Sequence, residues 1–496
     1  MRGFRPMGGA AALALALTAA ACTGAPAAPP PPAPPPPAPP SPPAAALNWT
    51  ACGDGFQCTT IEVPKDWNAP DGEKITLAMT RMPAKGTRAG AMFVNWGGPG
   101  DPGNTSIRTR GEEIVKATGG TLDVITWDPR GLAASTPITC SEGNLQYFLA
   151  DPGTPEGLRS MADAAQQRTT ACSARYGSYL DVLGTVQGVR DLEAMRIAAG
   201  EPVLNFLGLS YGTRIGATYA AMFPGTVGNM VLDGSMSQRG TVRDTAFGMV
   251  RAGQDSLDRW FARCAAKPDC AFGPDPGAGY DALFAKVRAE QPVVQGTDGK
   301  RLTAGLLYQV VLAGLVDYGG SQEAAEQAVA AYRTKGDPSG LYALGVGIAG
   351  QKPDGTFSNG PEIFQYVSCA DWPTRLTFAE LQADTAEGAR MSPRIGAFAA
   401  SFALTNTTAC PPAKDGPLPL PTAPVAGKVL VMGNVSDAET PLENGEELHS
   451  MIPGSQLIVL DTMGHTGFYR SPCLATAGGA TLTRGELPAD GTRCSA

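Results

Sequence analysis

Histidine is scarce in this 496-residue chain: there are two, His449 and His465. That rules out a multi-histidine metal centre and leaves any histidine chemistry two side chains to work through. None of the eleven cysteines forms a C-x-x-C pair, and their scatter argues against zinc. Positive charge is also short. The net charge is −8, and it grows more negative once Arg2 and Arg5 leave with the leader described below. Such a chain is a poor candidate for nucleic acid or for an anionic membrane surface. Beyond the leader no apolar run reaches 18 residues, so no transmembrane helix is expected in the mature chain. There are no internal repeats. What remains is ordinary globular composition, 43% hydrophobic and 17% charged, in a length that allows a large core plus an insertion.

The N-terminus reads as an address. Arg2 and Arg5, then Ala10 to Leu17, then Ala19-Ala20-Ala21 follow the plan of a secretory signal over residues 1–21. Cys22 comes next, which points to a lipid on that thiol. Simple cleavage near Ala21 or Ala28 is the alternative. Residues 25–46 are almost all Pro and Ala, an extended tether within 22–47 that cannot build a core. With Cys22 lipidated, ten cysteines remain, an even set suited to five disulfides in an oxidising compartment. Sequence does not fix their connectivity. The simplest pairing joins neighbours in order: Cys52–Cys58, Cys140–Cys172, Cys264–Cys270, Cys369–Cys410 and Cys473–Cys494.

From Ile75 onward short apolar runs alternate with helical stretches. The runs are ITLAMTRM, AMFVNW, LDVITW, VLNFL, NMVLD, KVLVMG and QLIVL. Buried strands separated by helices predict a mostly parallel sheet with helices on both faces. Between Asp233 and Lys428 the pattern changes to helices such as LDRWFARCAA and SQEAAEQAVAAYRT. Residues 236–405 therefore read as a helical cap, set between core segments 48–235 and 406–496.

The chemistry centres on VLNFLGLSYGTRIG, residues 203–216. A strand, a sharp G-x-S-x-G turn and a helix place Ser210 at an exposed apex, as in a nucleophile elbow. That pattern alone is weak, so its partners decide. A serine nucleophile needs a base and an acid to orient the base. His465 follows the last strand in LIVLDTMGHTGF, whereas His449 lies in an amphipathic helix and is expected to face solvent. Asp437, just past KVLVMG, is the preferred acid. Asp233 is its rival, and Asp461 sits too close to the last strand's end. The oxyanion hole needs two backbone N–H groups. Tyr211 supplies one and Gly98 the other, with Gly97 next in line, in the loop Trp96-Gly97-Gly98-Pro99-Gly100. In WDPRG, Asp128 and Arg130 are expected to form a structural ion pair near the site. Asp101 and Glu439 are candidates to hold a substrate ammonium.

Taken together, WGGPG at 96–100, WDPRG at 127–131, GLSYG at 208–212, LDG at 232–234, SCADWP at 368–373, and the late Asp437 and His465 resemble the secreted tripeptidyl aminopeptidases. These are prolyl-aminopeptidase-like serine peptidases of the α/β-hydrolase fold. The resemblance spans residues 48–496 and implies a cap inserted after the sixth core strand. It also implies an exported peptidase that removes short peptides from free N-termini without metal or cofactor. The single-residue aminopeptidases usually begin the oxyanion motif with His, where this chain has Trp96. Similar lipoproteins described as carboxylesterases leave an esterase with the same triad as the first alternative. A lipid-anchored binding protein with a vestigial site is the second. The expected partner is a peptide with a free N-terminus, with membrane contact only through Cys22.

Overall fold

The apolar runs form one ten-stranded sheet in the computed structural model, which describes residues 47–140, 145–411 and 417–495. All of these belong to one compact unit, residues 39–496. The expected leader, most of the tether and Cys22 lie outside the described residues. The strands are β1 (Thr50–Ala51), β2 (Gln57–Pro64), β3 (Lys74–Met82), β4 (Gly90–Asn95), β5 (Leu122–Trp127), β6 (Leu204–Leu209), β7 (Val227–Asp233), β8 (Val429–Ser436), β9 (Gln456–Met463) and β10 (Thr492–Ser495). Their order is β1-β2-β3-β5-β4-β6-β7-β8-β9-β10. The first three strands run antiparallel to their neighbours and the rest pair in parallel.

Burial explains the two kinds of strand. LDVITW is buried at every position, as a strand covered on both faces must be, whereas β3 alternates between buried and more open positions. One face packs Phe93, Phe206 and Val431 under the helices Thr185–Ala198, Tyr211–Met222 and Leu442–Met451. The other packs Val94, Leu207 and Met432 under Gly103–Ala117 and Pro472–Arg484. Sequence had not marked β1, β2 or β10. They are short or partly exposed edge strands with no continuous apolar run.

The insertion follows β7, the sixth strand when counting starts from β2. Among the described residues it holds eight α-helices between Val242 and Leu404 and no named strand. Side chains of Thr241, Thr303 and Thr377 accept the N–H groups of Asp244, Leu306 and Glu380 and start three of these helices. The insertion has a core of its own around Trp260, Leu307 and Phe398. Helices Leu145–Leu149 and Pro155–Tyr176, read from sequence as part of the first core segment, bury Tyr147, Phe148 and Met161 in that same core. The five disulfides join neighbours in sequence order, from Cys52–Cys58 to Cys473–Cys494.

Strand order places the site. The chain passes from β4 to β5 on one side and then crosses to β6 on the other, which opens a crevice at the carboxyl ends of β4 and β6. Asn95 pairs with Gly208, Leu209 with Asp233, and Asp233 with Met432. The loops that follow these strands therefore leave the same edge of the sheet.

Candidate active site

Ser210 stands where β6 ends and the helix Tyr211–Met222 begins, with φ 55° and ψ −120°. Such a backbone is costly for a residue with a Cβ and is held here by packing on both sides. A Cβ on Gly208 would lie 2.4 Å from the Gly212 carbonyl oxygen, and one on Gly212 would lie 2.8 Å from the Asn95 oxygen. The glycines of GLSYG thus let the helix start against the strand. Gly97 comes equally close: a Cβ there would sit 2.9 Å from both the Leu209 oxygen and Ser210 Cβ.

The two expected oxyanion donors are the amides of Gly98 and Tyr211. The Gly97 N–H donates to Asn95 Oδ1 at 3.1 Å, whereas no hydrogen bond from the Gly98 N–H is seen among the described residues. The Tyr211 N–H is one of the unsatisfied donors of a helix start. Ser210 and Gly98 line one cavity of about 250 Å³. The insertion contributes Phe364, Trp372 and Phe402 to its wall.

His465 follows β9 and is fully buried. Its Nδ1 lies 2.8 Å from Asp437 Oδ2 and 3.0 Å from Oδ1. Asp437 is itself fixed, accepting from the N–H groups of Glu439 at 3.0 Å and Thr440 at 2.9 Å and from Thr440 Oγ1 at 2.9 Å. Burial alone would lower the pKa of His465, but the negative charges of Asp437 and Glu439 outweigh it and raise the value to about 9. The His465 N–H donates to the Val316 oxygen at 2.9 Å, so the insertion helps to hold the histidine loop.

Asp233, the rival acid, does not touch the imidazole. It is buried and accepts the N–H groups of Gly467 and Phe468, each at 2.8 Å through Oδ2. Burial raises its pKa to about 6. It shapes the loop while Asp437 meets the ring. Asp461 lies 4.0 Å from Arg493, on the exposed side of β9. His449 is not simply solvent-facing: Nδ1 is 2.9 Å from Ser455 Oγ and Nε2 is 3.4 Å from Asp490.

Asp101 and Glu439 both open onto the Ser210 cavity, and both also line an adjoining cavity of about 340 Å³. The side chain of Asp101 is 47% accessible, and desolvation raises its pKa despite Arg110 at 3.7 Å. Burial likewise raises Glu439, opposed by His465 and reinforced by the charges of Asp437 and Asp101.

One expectation is corrected. Asp128 and Arg130 do not pair. Arg130 turns inward and makes a two-pronged bond to Asp191, at 2.6 and 2.7 Å, with both side chains 1% exposed. Asp128 instead takes the N–H of Asn104 at 3.0 Å and its Nδ2 at 2.9 Å. Residues two apart on a turn leave in different directions, and the helix Thr185–Ala198 offers Arg130 a buried carboxylate. Trp96 is likewise structural, buried and donating to Thr126 Oγ1 at 3.0 Å.

The structure also adds residues that no local pattern marked. Tyr318, from the insertion, lies edge-on to the His465 ring at 5.6 Å. Asp371 of SCADWP accepts from Thr185 Oγ1 at 2.6 Å, which is also 2.6 Å from the Tyr211 hydroxyl. That network joins the insertion to the helix behind Ser210. These partners lie 147 residues apart for Tyr318 and His465 and 186 apart for Thr185 and Asp371, and so leave no local trace.

Residues 102–285 match the family model described as alpha/beta hydrolase fold, and residues 396–494 match the one described as TAP-like protein. The chain is 26% identical over 474 residues to "Serine protease Hip1" of Mycobacterium tuberculosis, covering 90% of this chain and 91% of that one. It is 28% identical over 482 residues to "Tripeptidyl aminopeptidase" of Streptomyces lividans, covering 91% and 87%. It is 29% identical over 458 residues to "Carboxylesterase B" of Mycobacterium tuberculosis, covering 88% and 86%. The two matched stretches carry Ser210 and the Asp437–His465 pair, and these similarities together support a TAP-like serine hydrolase of the α/β-hydrolase fold.

Proposed function

We propose that this protein is an exported exopeptidase that releases short peptides, tripeptides by preference, from free N-termini. Ser210 Oγ attacks the scissile carbonyl while His465 Nε2 takes its proton. The N–H groups of Tyr211 and Gly98 hold the oxyanion, and Asp437 keeps the imidazole oriented and stabilises its charged form. His465 then gives the proton to the leaving amine. Water, activated by the same nitrogen, releases the peptide from the acyl-enzyme. No metal or organic cofactor enters this sequence.

The observation that carries the reading is the pair of carboxylates, Asp101 and Glu439, lining the same cavity as Ser210 and Gly98. An acidic pair beside a nucleophile suits an incoming ammonium, which it can hold by charge-assisted hydrogen bonds. Five disulfides support export, and the N-terminal sequence supports a lipid on Cys22 with residues 25–46 as tether. The similarity to a carboxylesterase favours the second reading, an esterase using the same residues.

The test uses the purified mature chain with Ser210→Ala as control. A free-amine tripeptide anilide should be cleaved in one step, and blocking its amine should abolish cleavage. Turnover of a short acyl p-nitrophenyl ester alone would establish the esterase instead. Failure of a serine-reactive phosphonate to label Ser210 in folded protein would sink both.

A further inference from the structure

A serine nucleophile is activated when its hydroxyl bonds to the free nitrogen of the base. That bond is not made here. His465 Nε2 is buried and has no hydrogen-bond partner among the described residues. Glu439 Oε2 lies instead 3.3 Å from Nε2, close enough for charge attraction but out of line for a hydrogen bond. The main chain of Glu439 is fixed, because its N–H donates to Asp437 Oδ1 at 3.0 Å. Its carboxylate accepts no hydrogen bond among the described residues and is 25% exposed to the two adjoining cavities. The backbone is held by the acid of the triad, and the carboxylate opens onto the two cavities that Asp101 also lines.

We propose that Glu439 couples recognition of the substrate's N-terminal ammonium to release of His465 for catalysis. In the free protein its carboxylate holds Nε2, and a bound ammonium draws it away. Nε2 then gives its proton to water and accepts the one that leaves Ser210 Oγ as the new C–O bond forms. The inference rests on the aminopeptidase reading above and deepens it: the amine becomes a trigger as well as a handle. It explains why a carboxylate sits at the nitrogen that must act as base. A permanently held Nε2 would stay charged and inert, whereas one released by substrate becomes a base only when an N-terminus is present.

Several groups face the imidazole. Asp437 meets Nδ1, Glu439 meets Nε2, and Asp233 acts from the end of β7. Asp101, with Arg110 beside it, acts across the cavity, and Tyr318 lies edge-on from the insertion. Among the titratable groups of the described residues, only Glu439 both approaches Nε2 and opens onto the cavity with Ser210.

The test measures the rate at which an uncharged fluorophosphonate ester labels Ser210 in the full chain at pH 7 without substrate. Glu439→Gln keeps the size and removes the charge. It should label about tenfold faster, as a fall of one unit in the pKa of His465 would give. Its pH profile should shift down by about one unit, which a merely structural role would not produce. Ethylamine, charged at this pH, should accelerate labelling of the native chain and leave Glu439→Gln unchanged, while ethanol should affect neither. Equal or slower labelling of Glu439→Gln, with an unchanged thermal midpoint, would overturn the coupling. So would a native chain indifferent to ethylamine. Failure of the aminopeptidase reading looks different: the tripeptide anilide is then left intact while the ester is hydrolysed. A chain that cleaves the anilide but labels Glu439→Gln no faster keeps that reading and loses the coupling.

Discussion

At the scale of single residues, two buried carboxylates near one histidine do different work. Asp437 bonds Nδ1 at 2.8 Å, whereas Asp233 receives the N–H groups of Gly467 and Phe468. Asp437→Asn should lower kcat about 10³- to 10⁴-fold with little loss of fold, because an amide favours the wrong imidazole tautomer. Asp233→Asn should mainly lower the thermal midpoint and slow kcat far less, since it disturbs the loop rather than the ring. Steady-state kinetics and melting of the two variants check this, and reversed effects would make Asp233 the orienting acid. The pH dependence follows from the raised pKa of His465. Nε2 is a base only when unprotonated, so kcat/KM should climb with pH through about 9, not through the ordinary histidine value. A limb near 6.5 in the free enzyme would contradict the crowding of Asp437 and Glu439 around the ring.

At the scale of elements, the site depends on how closely loops and helices approach. Gly97 has φ +104° and leaves no room for a side chain against β6 and Ser210. Gly97→Ala should push the loop off the elbow and cost about 10²- to 10³-fold in kcat, the usual effect of losing one oxyanion donor. Comparing the acylation rate with that of the native chain measures it. Arg130 is the other fixture. It joins the helix Thr185–Ala198 to the turns after β2 and β5 through Asp191 and the oxygens of Lys65 and Val182. Arg130→Met leaves Asp191 charged and buried, and should destabilise by about 3–5 kcal/mol, read as a fall in denaturant midpoint.

At the scale of the whole molecule, sheet and insertion act as one device. The insertion supplies Val316 to the histidine loop, Tyr318 to the ring, and Asp371 to the helix behind Ser210. Cys369–Cys410 closes 41 residues of this region onto itself. In the chain-entropy account such a loop contributes about 4 kcal/mol. The double variant Cys369→Ser/Cys410→Ser should therefore melt at a lower temperature and lose activity before the sheet unfolds. Parallel melting and activity curves would show it, and identical midpoints would show that the insertion and sheet come apart together.

The buried strands of the sheet, the elbow at Ser210 and the late acid and histidine were legible in the sequence, whereas the sequence leaves the cysteine pairing open and the fold settles it, joining neighbours in order. The legible features are local or ordered signals: a continuous apolar run, a glycine-flanked serine, a position just past a strand. Edge strands β1, β2 and β10 left no such run and were silent. What only the tertiary structure decided was which partners meet. Arg130 found Asp191 rather than Asp128, helices before the elbow joined the insertion's core, and Asp101 and Glu439 came to face the same cavity as Ser210. Those choices are made by burial between segments far apart in the chain, where a charge takes the partner that the fold brings within reach. The placing of Glu439 against Nε2 belongs to this second kind, because only the register of β8 on β9 carries its loop to the histidine.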